Sequence, residues 1–309
     1  MITTIFSKST PINYILVTSL LVVGFFLLQM QDLAWMDSVF GFIKKIGILA
    51  LLIASLFITN FVTKRNGMSK DNTFPFLFYF LFLILFPSSL NYTALIVSNF
   101  FILLALRRLF SLQSLVTPKE KIFDASIWIF IAALFHFWSI LFILLVFVSI
   151  ILHVSRDYRN WVLPYIALFA VTIIFLLVAI LSDKMLIDGL FEDTQVYFEF
   201  DYFTNKYQNI ALSIYAALAV LFLFSQVFSL SNKPLILHAS YKKIILAFAI
   251  GVVVFVISPN KTNSILIYTF MPLAVMATSY IEGIQVKWIK EVTALIVLLL
   301  CLMCFVFQL

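Results

Sequence analysis

Long runs of apolar residues, each bounded by polar residues, dominate the sequence and leave few choices of fold. Inside hydrocarbon a backbone amide has no water to bond, so each run of this length must form a helix. The sequence therefore predicts an all-α polytopic transmembrane bundle of about eleven helices. They are placed near residues 12–29, 42–62, 74–87, 92–106, 122–135, 137–153, 161–182, 209–229, 244–258, 264–280 and 292–308.

The composition supports a membrane protein and argues against other classes. Hydrophobic residues make up 64% of the chain and charged residues 11%, whereas a soluble domain has roughly 45–50% apolar and about 25% charged residues. The net charge of +6 comes from short basic clusters between the apolar runs. Membrane orientation explains such clusters, so we expect membrane lipids and not nucleic acid as partners.

Two pairs of short helices are expected within this pattern. The segment 122–153 is too long for one ordinary span of about 20 residues, and His136 lies at its midpoint. We therefore divide it into a helical hairpin. The helices near 74–87 and 92–106 form a similar pair around Pro87-Ser88-Ser89.

The basic residues alternate between loops and so predict the topology. Fifteen of the twenty basic residues and six of the fourteen acidic residues fall in one set of loops, which is net +9; the other set is net −3. This places the N-terminus on the cytoplasmic side of the membrane and the C-terminus on the outer side. Lys44 and Lys45 lie on the wrong side, which we explain by an interfacial helix covering Trp35 to Lys45. The N-terminal apolar run is expected to be a retained helix, because no small-residue cleavage pattern follows it.

No separate soluble domain is expected, so residues 1–309 form a single integral membrane domain. The longest loop, residues 183–208, is rich in acidic and aromatic residues. Its composition predicts an ordered outer lid rather than a linker.

Candidate chemistry is confined to the outer loops. No metalloprotease, hydrolase or phosphate-loop motif occurs, and Cys301 and Cys304 alone form neither a metal site nor a disulfide framework. We therefore predict no cofactor and no metal. Asp32 or Asp37 in the first outer loop is a candidate general base, whereas the alternative is ordinary solvated loop charge.

Three further outer residues are candidate substrate ligands. His136 and Lys261 could hold a lipid-linked phosphate, and Asn91 lies in a neighbouring outer turn. For His136 the alternative is a neutral, hydrogen-bonded structural histidine.

The chain resembles two groups of membrane proteins. The opening MITTIFSKSTPINY and the helix pattern of the whole chain resemble an uncharacterised family of polytopic inner-membrane proteins from the Bacteroidetes lineage, a domain of unknown function. More distantly, residues 74–153 resemble the short paired helices of C-type membrane glycosyltransferases. That resemblance is carried by Phe86-Pro87-Ser88-Ser89, Leu106-Arg107-Arg108 and Ile131-Ala132-Ala133-Leu134-Phe135-His136.

The second resemblance implies a substrate class. Such enzymes use polyprenyl-phosphate sugars at the outer leaflet and keep an acidic residue in the first outer loop, which Asp32 or Asp37 matches here. The first hypothesis is therefore a glycosyltransferase-C-like protein that acts on or binds a lipid-linked envelope substrate. The second is a non-catalytic membrane subunit or scaffold for envelope assembly, secretion or surface motility, whose partners are other envelope membrane proteins.

Overall fold

The computed structural model describes residues 2–181, 194–196, 198, 206–259 and 261–308. Helices account for nearly all of the described residues, which contain no strand. In chain order the helices are α1 (Ile2–Phe6), α2 (Pro11–Gln29), α3 (Val39–Arg65), α4 (Phe74–Leu85), α5 (Thr93–Ser111), α6 (Pro118–Phe135), α7 (Ile143–His153), α8 (Arg159–Leu181), α9 (Lys206–Ser229), α10 (Leu235–Ile257), α11 (Ile267–Gly283) and α12 (Lys287–Gln308).

The eleven predicted helices correspond one for one to α2 through α12, which confirms the polytopic bundle. Among the described residues, eight helical segments are long and apolar enough to cross a membrane. The remaining predicted helices, α4, α6 and α7, belong to the predicted short pairs, whereas α5, predicted as the short partner of α4, is itself long enough to cross. Helix α4 has 12 residues, about 18 Å of helix against a hydrocarbon core of about 30 Å, and a 3₁₀ turn at Pro87–Leu90 follows it.

The split of the segment 122–153 is also confirmed. Helix α6 ends at Phe135, and His136 adopts an extended conformation with φ −150°. The chain then turns through a 3₁₀ helix at Phe137–Phe142 into α7.

Two helices form the buried centre of the bundle. All residues of α4 are buried, and 94% of the apolar window that contains α11 is buried. The two helices pack against each other, and α11 also packs against α9 and α10. Helices α8, α9 and α12 expose most of their apolar side chains, as expected for lipid contact.

Hydrogen bonds show which connections share an end of the bundle. At one end, Tyr241 donates to the Met68 carbonyl and Gln113 to the Ile236 carbonyl. At the other, Gln29 donates to Asn91. The loops predicted to be cytoplasmic thus meet at one end, here called the inner end, and the others meet at the outer end. The assignment of the inner end to the cytoplasm rests on its positive charge and stays a prediction.

The predicted interfacial helix at Trp35 to Lys45 is wrong. Helix α3 begins at Val39, with the Ser38 hydroxyl accepting from the Gly41 amide at 3.0 Å, and it continues as one helix of 27 residues. At about 1.5 Å per residue it is about 40 Å long. Its first turns, which carry Lys44 and Lys45, therefore extend beyond the hydrocarbon.

Most of the predicted outer lid lies outside the described residues. Helix α9 begins at Lys206, three residues before the start expected from the sequence. The order of residues 183–205 stays a prediction.

Candidate functional site at the outer end

The two candidate acidic residues lie in the connection between α2 and α3. Both Asp32 and Asp37 are exposed, and the Asp32 carboxylate interacts electrostatically with Lys45 at the start of α3. Exposure suits a solvated charge, and it also leaves either carboxylate accessible to a substrate from outside. Their proposed role as a general base therefore stays a prediction.

Asn91 holds two elements together at the outer end. Its Oδ1 accepts from Gln29 Nε2 at 2.6 Å, and Gln29 is the last residue of α2. The Gln29 carbonyl in turn accepts from Trp35 Nε1 at 3.2 Å. Asn91 thus fixes the end of α2 against the turn before α5, which is a positioning role.

His136 is held in a buried network. The Ser258 hydroxyl donates to the Val254 carbonyl at 2.6 Å, so His136 Nε2, 3.0 Å from that hydroxyl, carries the hydrogen and donates it. The imidazole also stacks on Tyr268, with ring centroids 5.7 Å apart. Tyr268 donates to the Ser98 hydroxyl at 2.7 Å. These contacts favour a structural role for His136, in which its hydrogen bond orients Ser258.

Lys261 lies in the connection between α10 and α11 and is only 6% exposed. Its neighbour Asn263 donates to the Gln208 carbonyl at 3.0 Å. Ser264 donates to the Ser88 hydroxyl at 3.1 Å and so joins this connection to the turn after α4. The structure therefore brings two predicted residues, His136 and Lys261, to the same connection. Four polar residues of this connection, Ser258, Lys261, Asn263 and Ser264, and the two residues bonded to it, Ser88 and His136, are here called the outer polar cluster.

The serines and the asparagine of this cluster were not predicted as site residues. The available signal was the polar run Ser258-Pro259-Asn260-Lys261-Thr262-Asn263-Ser264 between two apolar runs. Buried polar side chains at membrane depth are costly unless they are hydrogen-bonded. Such a run therefore indicates either a network or a ligand site.

An apolar groove, here called the lateral groove, borders the outer polar cluster. It lies between α9 and α10, has a volume of about 310 Å³ and is lined entirely by nonpolar surface. It extends from Phe224 and Phe248 to Leu212, Phe255 and Leu266. Leu266 follows Ser264 by two residues, so the outer end of this lateral groove adjoins the outer polar cluster.

The chemistry that this arrangement offers is binding. The cluster provides the Lys261 ammonium, which is a suitable partner for a phosphate, and the groove can take a hydrocarbon chain. Within the described residues, no group of three His, Cys, Asp or Glu side chains is placed to hold a metal ion.

Comparisons with known proteins bear on the family alone. Neither the curated proteins nor the solved structures give a match to this chain. The lineage and the likeness to C-type glycosyltransferases stay predictions. One family model matches residues 1–309, the whole chain. This all-helical, multi-pass membrane protein therefore belongs to the family of unknown function DUF6427.

Proposed function

We propose that this protein binds a lipid-linked, phosphate-bearing envelope substrate at the outer end of the bundle, in a bacterial inner membrane. The observation that supports the proposal is the position of the lateral groove, whose outer end adjoins the polar connection that contains Lys261. A polyprenyl phosphate has the matching form, with a long apolar chain and an anionic head.

The two parts of the site contribute different energies. Each methylene removed from water into the groove contributes about 0.8 kcal/mol, but a groove open to the bilayer gains less, because lipid tails compete for it. Selectivity must therefore come from the head group. An ammonium such as that of Lys261, in a site of low dielectric, forms charge-assisted hydrogen bonds with a phosphate.

Catalysis is a further step of the same proposal. A glycosyltransferase-C-like reaction would use Asp32 or Asp37 as the general base. The alternative is a non-catalytic subunit for envelope assembly, secretion or surface motility, which binds protein partners. Capture of a lipid phosphate supports the first class, and its failure together with stable co-purification of envelope proteins supports the second.

A matched pair of substitutions tests the groove. Ala216 lines it, whereas the adjacent Ala217 is exposed outside it. We expect Ala216→Trp to reduce photocrosslinking of a photoreactive polyprenyl phosphate about tenfold, because it excludes the equivalent of two methylenes from the groove. Ala217→Trp adds the same bulk outside the groove and should leave crosslinking unchanged. Equal crosslinking in the two variants would contradict the proposal.

The head group is tested with the same probe and its alcohol analogue. Wild-type protein should capture the phosphate in preference to the alcohol, and Lys261→Gln should remove most of that preference. A variant that keeps the full preference would show that Lys261 does not contact the phosphate.

A further inference from the structure

A second cavity, with a volume of about 930 Å³, lies at the inner end of the bundle. It is formed by the ends of α3 and α5, the turn before α6 and the start of α10. Four cationic side chains from three helices line it: Arg65, Arg107, Arg108 and Lys121. This inner basic cavity is at the opposite end of the molecule from the site proposed above.

The cations are held at the wall by specific contacts. Lys121, only 9% exposed, donates to the Ser111 carbonyl and the Ser114 hydroxyl, each at 2.8 Å. The Arg107 guanidinium lies over the Phe61 ring, 5.2 Å from its centroid. Arg65 is exposed at the rim. Burying an ammonium has an energetic cost, and these contacts hold Lys121 in place despite it. The cations therefore form a specific arrangement and not a chance grouping of surface charges.

The inner-end carboxylates are mostly engaged elsewhere. Among the described residues, Asp124 alone forms an ion pair with a cavity cation, Arg108, at 2.9 Å. The Lys119 ammonium bonds Asp157 at 3.0 Å and holds the pKa of that carboxyl below its ordinary value. Contacts outside the cavity also engage Asp71 with Lys64, Glu282 with Asn72 and Glu291 with Thr3. The four cations thus have one paired carboxylate and leave the cavity positive.

A fully buried lysine lies beneath the cavity. Lys243 is on the same face of α10 as Ile236 and Ser240, about two turns deeper than Ile236, and it is fully buried. Among the described residues its hydrogen bond is to the Leu109 carbonyl, at 2.8 Å. Its ammonium also lies 5.1 Å from the centroid of the Phe110 ring.

The turn that supplies part of the wall has a strained backbone. Leu115 and Thr117 both have positive φ, 53° and 44°, and this conformation is a genuine outlier for a β-branched residue such as threonine. Between them lies Val116, which lines the cavity. Strain of this kind persists only where the surrounding structure imposes it, and it is concentrated at functional sites.

Apolar side chains complete the wall. Phe61, Val116 and Ile236 line the cavity and are 46%, 63% and 69% exposed. A free inorganic anion needs no such surface, and the volume is that of a pocket for a larger ligand. The cavity therefore suits a phosphate group that is joined to an apolar body.

Membrane orientation explains positive charge at this end, but it does not require that four cations share one cavity while four of the six acidic residues at this end are engaged elsewhere. We propose that the inner basic cavity is a binding site for a phosphate-bearing ligand, either the head group of an anionic lipid or a soluble phosphate compound. Arg65, Arg107 and Lys121 bind the phosphate, and Phe61 with Ile236 contacts the attached apolar part.

The test compares two double variants in full-length protein purified into phosphatidylcholine nanodiscs. Arg65→Gln with Arg107→Gln removes two cavity cations that are exposed, so folding is retained. Arg156→Gln with Arg159→Gln removes the same charge from exposed positions of the same end outside the cavity. Phosphatidic acid is the lipid probe, read by native mass spectrometry, and ATP is the soluble probe, read by calorimetry.

We expect the cavity variant to lose phosphatidic acid or ATP binding at least about tenfold, since two charge-assisted contacts are removed. The control should stay within about twofold of wild type. Binding of the lipid but not ATP assigns the site to the membrane, and the reverse assigns it to a soluble ligand. Equal loss in both variants, or no binding of either probe by wild type, would overturn the proposal. Neither result depends on the outer site.

Discussion

Single residues of this protein differ in how the bilayer constrains them. Some buried polar side chains of the bundle are paired across helices, as with Asn99 and Tyr79 at 3.0 Å and Tyr215 and Thr269 at 2.6 Å. Such pairing is required where water is absent. Asp32 and Asp37 are exposed instead, so water solvates their charge and it can be removed with little structural cost.

Binding and catalysis therefore give different results at these two positions. Asp32→Asn and Asp37→Asn should each change the free energy of unfolding by no more than about 0.5 kcal/mol and leave capture of the polyprenyl phosphate within about twofold of wild type. If either carboxylate is a general base, complementation of a deletion strain should fail while capture persists, because loss of a base typically costs about 10²–10⁴-fold in rate. Full complementation by both single variants and the double variant would exclude catalysis at this loop.

At the scale of helices, the sequence predicted where each helix lies along the chain, but it did not predict which helices pack against one another. Each apolar run gave one helix because hydrocarbon forces every backbone amide to pair locally. The prediction of a separate interfacial helix at Lys44 and Lys45 was wrong because α3 is longer than the hydrocarbon is thick. One helix can therefore span the hydrocarbon and also carry these charges near its end. Neither the lateral groove nor the inner basic cavity could be predicted, since both depend on which helices adjoin one another. Hydropathy along one helix does not contain that information.

The close packing of α10 on α11 at Gly251 is one contact between helices that hydropathy along the chain does not predict. A methyl group at this position would lie 2.6 Å from Thr269 Cγ2 and 3.3 Å from the Tyr268 carbonyl carbon. Thr269 cannot turn away easily, since its hydroxyl bonds the Leu266 carbonyl and Tyr215. We expect Gly251→Ala to lower the free energy of unfolding by about 1–3 kcal/mol, measured by denaturant titration of the purified protein.

Gly47 provides the matched control for that substitution. It also lies within a long helix, but a Cβ there would meet no atom within 4 Å. Gly47→Ala should therefore be neutral, or stabilising by up to about 1 kcal/mol through helix propensity. A loss of stability at Gly47 as large as that at Gly251 would remove the packing explanation.

The whole molecule combines a buried centre, α4 and α11, with two chemically different ends. The inner end collects most of the basic residues, whereas the outer end has the polar cluster beside the groove. The sequence predicted this division, because basic loops alternate with the helices, and the hydrogen bonds at each end confirm which loops lie together. The ligands that can reach each proposed site depend on the side of the membrane that its end of the bundle faces.

Cysteine labelling determines that orientation. The native Cys301 and Cys304 are 0% and 6% exposed, so a single introduced cysteine supplies the signal. Asp37 and Ser155 are exposed at the outer and the inner end. With an impermeant maleimide on intact spheroplasts, Asp37→Cys should react at once, and Ser155→Cys only after permeabilisation. The opposite pattern would place the lateral groove and Lys261 in the cytoplasmic leaflet, and the inner basic cavity would then face a membrane surface from outside the cell.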